Sequence, residues 1–157
     1  NVGQTAIDAI IQGRIKRNRF KSLYDLAEHV DLRVVNRKVL ESLIKCGAFD
    51  STGLFRSQLF AILDHALAAA NELQKDRESG QISFFDSLEK QPSFQKSFQS
   101  IPSMAEWPEN ELLLNEKEML GFYVTGHPLA RYQKELKSYS TVSTGTAGAR
   151  RDGPLPR

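Results

Sequence analysis

NRKVLESLIKCGAFDSTG, residues 36–53, is the stretch on which the fold turns. Asn36 belongs to the residue types that start helices, because its side-chain oxygen accepts from an amide of the first turn. Val39, Leu40, Leu43 and Ile44 follow at helical spacing and make one apolar stripe. Gly47 suits the left-handed conformation that closes a helix. Residues 48–53 read as a turn. A long helix is then expected over residues 54–75, with Phe55, Leu59, Ile62, Leu63, Ala66, Leu67, Ala70 and Leu73 on its apolar face.

Working outward, residues 4–17 read as a helix with Ala6, Ile7, Ile10, Ile11 and Ile15 near one face. Gly13 inside it is expected to weaken it by about 1 kcal/mol relative to alanine. Residues 22–30 form a second, short helix: Ser22 and Asp25 make a variant capping box, and Leu23, Leu26, Ala27 and Val30 its stripe. Beyond Lys75 the periodicity fails. Ser, Gln and Pro accumulate to Pro108, and Phe84, Phe85, Phe94, Phe98 and Trp107 stand as isolated aromatics, which predicts a mobile linker. Helical character returns over residues 109–120 and ends at Gly121. A turn at residues 125–129 leads to a last short helix over residues 128–137. Residues 138–157 carry almost nothing apolar and are expected to be disordered. No segment has a convincing strand pattern. The expectation is an all-α chain. A helix-hairpin-helix-like helical domain spans residues 1–75, a flexible linker 76–108, a helical segment 109–137, and a tail 138–157.

The net charge of the 157 residues is only +2, so an anionic partner has to be argued from where the charges lie. Residues 1–50 carry net +3, residues 51–73 net −1, residues 74–120 net −4 and residues 121–157 net +4. Cys46 is the single cysteine, which excludes a disulfide framework and a cysteine-based metal site. No apolar run approaches the roughly 20 residues of a membrane span. With no secretory signal pattern, a reducing cytoplasm is the expected compartment. The chain opens at Asn1 in mid-pattern and is read as a piece of something longer.

Four constellations are chemically suggestive. Val2, Gly3, Gln4 and Thr5 form a glycine turn running into a helix. The first amides of a helix lack internal partners, and the helix dipole favours an anion there. The same residues equally suit an ordinary helix start. Arg14, Lys16, Arg17, Arg19 and Lys21 put five cations in eight positions, a pattern that neutralises nucleic-acid phosphates without reading sequence; a solvated helix end is the alternative. Residues 36–50 repeat the helix–hairpin–helix order, with Lys45, Gly47 and Ala48 at the hairpin and a connection longer than the compact form. Gln81, Ile82, Ser83, Phe84 and Phe85 read as a short linear peptide whose apolar anchors enter a partner's pocket, or else fold back on the core. Conventional catalysis has little support. His29, His65 and His127 are far apart, and none has a cysteine or carboxylate at metal-ligand spacing.

Taken together, NVGQTAIDAIIQGR, FKSLYDLAEHVDLRVVNRKVLESLIKCGAFDS, GLFRSQLFAILDHAL, GQISFFDSL and EKEMLGFYVTGHPLARYQKEL resemble the alpha subunit of bacterial DNA polymerase III, in order and spacing from residue 1 to about 137. The resemblance implies a stretch that follows the fingers. It would hold a tandem helix-hairpin-helix unit gripping duplex DNA, an internal peptide for the sliding clamp, and a helix leading to an oligonucleotide-binding barrel. Gln81, Ile82, Ser83, Phe84 and Phe85 match the clamp-binding motif, with Phe84 where the family usually has Leu. Val2, Gly3 and Ala6 match the first hairpin, and Lys45, Gly47, Ala48 and Phe49 the second. The family's catalytic carboxylates and their magnesium ions belong well upstream, so no cofactor and no independent polymerase activity are expected of this stretch. The barrel pattern expected near Tyr139 is replaced by STGTAGARRDGPLPR. The implied partners are duplex DNA, the sliding clamp and the rest of the polymerase chain, with no membrane. The alternative reading is a free-standing helical adaptor that does not bind DNA.

Overall fold

Asn36 does cap a helix: its Oδ1 accepts from the Val39 amide at 3.2 Å, and the helix runs over Arg37–Lys45. The computed structural model describes residues 2–78 and 101–139. Six helices lie in them: α1 Gln4–Arg17, α2 Leu23–His29, α3 Arg37–Lys45, α4 Arg56–Glu78, α5 Glu109–Leu120 and α6 Gln133–Tyr139. Single 3-10 turns occupy Asp50–Thr52 and Ala130–Tyr132. Among the described residues there is no strand, so the all-α reading is correct.

α2 and α3 pack against α4, α1 packs on α2, and α5 packs on α3. The core sits where these meet, with Leu23, Val35, Leu40, Ile44, Leu59 and Leu63 all but fully buried. Local chemistry sets the helix ends. Ser22 Oγ accepts from the Asp25 amide at 3.1 Å, and Asp25 reaches back to the Lys21 amide at 2.8 Å. α3 closes in a Schellman motif: the Ala48 amide donates to Leu43 O at 2.9 Å and the Gly47 amide to Ile44 O at 3.0 Å. Gly47 has φ +82°, which suits a residue without Cβ.

Space at Gly47 is occupied by Arg56. A Cβ there would collide with the Arg56 guanidinium and come within 2.7 Å of Asp50 Oδ2. Arg56 is 3% exposed. Its Nε and Nη2 donate to the two Asp50 oxygens at 3.0 and 2.7 Å, and its Nη1 to Lys45 O at 3.2 Å and Glu116 Oε1 at 3.0 Å. Glu116 is fully buried, and its other oxygen accepts from the Val124 and Thr125 amides at 2.7 and 3.0 Å. One guanidinium therefore ties the α3 hairpin, the start of α4, α5 and the turn after α5. Burial pushes the Glu116 carboxyl up, but the Val124 and Thr125 amides and the Arg56 guanidinium outweigh it, so it titrates below its ordinary value of 4.5.

Four expectations change. α4 begins at Arg56 rather than residue 54, and Phe55 is half exposed instead of lying on the apolar face. α4 also runs three residues past Lys75, to Glu78. The isoleucine stripe of α1 splits: Ala6 is buried, whereas Ile7, Ile11 and Ile15 are 38%, 47% and 70% exposed. Gly13 turns out to be a packing position, where a Cβ would stand 2.9 Å from the Phe20 ring.

The fourth change concerns residues 101–108, read as part of a mobile linker. They dock on the start of α4, where Phe55 has no side-chain acceptor for the first helical amides and Gln58 Oε1 takes only the Phe55 amide, at 3.0 Å. The Glu106 carboxylate accepts from the Arg56 and Ser57 amides at 2.7 and 3.0 Å, fifty and forty-nine residues away in sequence. Ser57 Oγ donates to Ala105 O, Gln58 Nε2 to Pro102 O, and Trp107 packs edge-on to Phe60 with centroids 5.6 Å apart. A negative charge at a helix N-terminus also complements the dipole.

Removing one partner of a buried, hydrogen-bonded ion pair leaves the other uncompensated and costs about 3–5 kcal/mol. We expect Glu116→Ala and Arg56→Ala each to lose that much in urea unfolding, and the double substitution to lose less than the sum. Glu116 has a lowered pKa in the folded state, so its stabilisation is complete above pH 4.5 and disappears as pH falls through the lower folded value. In Glu116→Ala this component of the acid-side loss should vanish.

Candidate nucleic-acid interface

Two regions at opposite ends of α1 meet the requirements for holding phosphates. Gly3 caps the helix with extended backbone and no side-chain hydrogen bond, and nothing lies within 4 Å of where its Cβ would stand. The Gly3 carbonyl accepts from the Ala6 and Ile7 amides, which leaves the Gln4 and Thr5 amides at an open, exposed helix start. Val2 is half-buried against the core and anchors the turn. Gln4 is partly engaged elsewhere, since its side chain donates to Asp8 at 2.9 Å.

The basic cluster lies at the other end, about 20 Å along a 14-residue helix. Its members are not equivalent. Arg17 pairs with Asp25 at 3.3 Å. Among the described residues, none stands in ion-pair range of Arg14, Lys16, Arg19 or Lys21, and all four are exposed. These four charges are available to an outside anion. By contrast Arg33, Arg37 and Arg56 are neutralised within the fold by Asp31, by Asp64 and Glu41, and by Asp50 and Glu116. Asp31 and Asp64 titrate below their ordinary values because of hydrogen bonds from Arg33 and Arg37 respectively.

The second hairpin is arranged differently from the first. Lys45 pairs with Glu41 at 2.9 Å and lies over the Phe60 ring. The Gly47 and Ala48 amides are consumed by the Schellman motif, and the space above Gly47 holds a guanidinium. Lys45, Gly47 and Ala48 thus share a surface position at the hairpin, but neither the Gly47 nor the Ala48 amide is free to receive a phosphate.

A groove of about 490 Å³ joins the basic end of α1 to the second hairpin, between the end of α1 and the turn after α3, lined by Arg14, Asn18, Arg19, Ala48, Ser51 and Thr52 among others. Asn18, Ser51 and Thr52 were not foreseen from sequence, because nothing in their local pattern brings residue 18 beside residue 51. Among the described residues, no group of His, Cys, Asp and Glu is placed to hold a metal ion, and no helix is long and apolar enough to cross a membrane. The peptide Gln81, Ile82, Ser83, Phe84 and Phe85 lies outside the described residues.

A family model of the helix-hairpin-helix motif matches residues 1–59, which takes in α1, α2, α3, the second hairpin and the start of α4. The chain is similar to proteins called DNA polymerase III subunit alpha. It is 42% identical over 146 residues to that of Borreliella burgdorferi, covering 93% of this chain and 13% of the relative. It is 42% identical over 138 residues to that of Escherichia coli K12, covering 88% and 12%. With that of Vibrio cholerae the figures are 38% over 156 residues, 98% and 13%. The chain thus spans only 12–13% of the length of the curated relatives it matches.

Proposed function

We propose, from the chain's place in the DNA polymerase III alpha subunit family, that it serves DNA-templated DNA synthesis in the bacterial cytoplasm by holding the polymerase on its duplex. The observation that carries this reading is the α1 element. An open helix start lies about 20 Å along α1 from four cations that have no ion-pair partner among the described residues, Arg14 and Lys16 on its last turns and Arg19 and Lys21 just after it, all within the helix-hairpin-helix match. Amides and cations of this kind hold phosphates without sequence preference, as a replicative enzyme requires. The exposed Ile7, Ile11 and Ile15 support a further helix of the polymerase packing on α1, the first member of the pair that the resemblance implies.

The second half of the proposal is a tether. Gln81, Ile82, Ser83, Phe84 and Phe85 match the clamp-binding motif and are flanked by two anchors, the end of α4 at Glu78 and the docked residues 101–107. A peptide joined to the folded unit on both sides holds the enzyme near a ring on DNA at high effective concentration.

Four phosphate contacts give a salt slope near −3.6, so duplex affinity should fall about a hundredfold between 50 and 200 mM salt. Fluorescence anisotropy with a duplex measures this, and a flat response contradicts the grip. For the tether, Gln81→Ala with Phe85→Ala should abolish binding to immobilised sliding clamp and leave the far-ultraviolet circular dichroism unchanged. Clamp affinity equal to that of the parent chain would refute the assignment of the peptide.

A further inference from the structure

The groove between the end of α1 and the turn after α3 contains two polar side chains that the fold does not use. Ser51 is exposed, and its hydroxyl makes no hydrogen bond among the described residues. Its neighbours are engaged: Thr52 Oγ1 donates to Phe49 O at 2.8 Å, and Asp50 pairs with Arg56 at 2.7 Å. Arg56 is shared with Glu116, and Asp50 is 48% exposed, so a residual negative charge stays beside Ser51, and the cations of the groove have to outweigh it. Asn18 is exposed and likewise keeps its side-chain amide without a partner among the described residues.

Asn18 also has an unusual backbone. It follows α1 with φ 68° and ψ −39°, and is the single non-glycine residue with positive φ among those described. This lies outside the left-handed helical region that asparagine tolerates and toward the γ-turn region, which is strained for a residue with a Cβ. Glycine would adopt it without that penalty. A side chain standing where its own backbone is disfavoured points to a role for that side chain.

Arg14 and Arg19 stand on the same groove, free of ion pairs, and Ile10, Phe20 and Leu43 supply half-buried apolar surface along it. The combination of unpaired cations, two neutral hydrogen-bonding groups and an apolar wall matches the alternation of phosphate and deoxyribose along a DNA strand. We propose that this groove seats the sugar–phosphate backbone of one strand, with Arg14 and Arg19 neutralising a phosphate and Asn18 and Ser51 hydrogen-bonding its oxygens. The inference rests on the duplex-binding reading and adds a site to it: the second hairpin contributes through the Ser51 hydroxyl at its turn, and the strained Asn18 is a binding residue.

Neutral and charged contacts separate in a salt titration, because only charge neutralisation releases counterions. Duplex affinity of the chain, of Asn18→Gly, of Ser51→Ala and of Arg19→Gln is measured by fluorescence anisotropy across 50–200 mM salt, alongside thermal melting. Asn18→Gly and Ser51→Ala should each weaken binding about three- to tenfold with an unchanged salt slope, and Arg19→Gln should reduce the slope by about one unit. Asn18→Gly relieves strain but adds entropy to the unfolded chain, so it should melt within a few degrees of the parent. A parent chain that binds duplex with steep salt dependence, while Asn18→Gly and Ser51→Ala bind equally well, overturns the groove and leaves the wider reading standing. A parent chain that does not bind duplex removes both. A collapse of the Asn18→Gly melting temperature, beyond the small entropic cost of a glycine, overturns the assignment of Asn18, and Ser51→Ala then decides the groove alone.

Discussion

The rest of the fold depends on the burial of the Arg56 guanidinium. An arginine cannot shed its charge in a protein, so a buried one must be met on every donor. Here it is met by Asp50, the Lys45 carbonyl and Glu116. Glu116 in turn is buried only because the Val124 and Thr125 amides take its second oxygen. Each partner lies on a different element, so satisfying one charge fixes the second hairpin, the start of α4, the position of α5 and the path of the chain after it. Gly47 is part of the same constraint, since any Cβ would occupy the space of the guanidinium.

This arrangement divides the labour between the two hairpins. The glycine of the first leaves open space before a helix whose leading amides are free. The glycine of the second admits an arginine of the protein itself, and its amides close the preceding helix. The two share a glycine in the turn ahead of a helix, but opposite surroundings. Among the described residues, Arg37, Lys45 and Arg56 on α3 and α4 are paired within the fold, whereas Lys38, Lys75 and four of the five cations at the end of α1 have no ion-pair partner.

Features that depend on neighbours in sequence were legible from it. The caps of α2 and α3, the glycine closures at Gly47 and Gly121, and the stripe of α3 follow from spacing within one or two turns. What escaped depends on distant residues. The cap of α4 comes from Glu106, and no periodicity in a Ser- and Pro-rich segment announces it. The exposure of Ile7, Ile11 and Ile15 depends on what packs on α1, and the pairing of Arg17 and Lys45 on carboxylates brought alongside by folding or one helical turn away. The basic cluster was legible as a cluster, but which of its charges are free was not. The groove uniting Asn18 with Ser51 had no local signal at all.

The central claim is that α1 presents its amides outward while the second hairpin keeps its own. An amide-resolved nuclear magnetic resonance titration with duplex DNA addresses it directly. The Gln4 and Thr5 resonances should exchange rapidly with solvent in the free chain and shift on adding duplex, while those of Gly47 and Ala48 should be protected from exchange in the free chain. Rapid exchange at Gly47 and Ala48, with Gln4 and Thr5 unmoved by duplex, would contradict it.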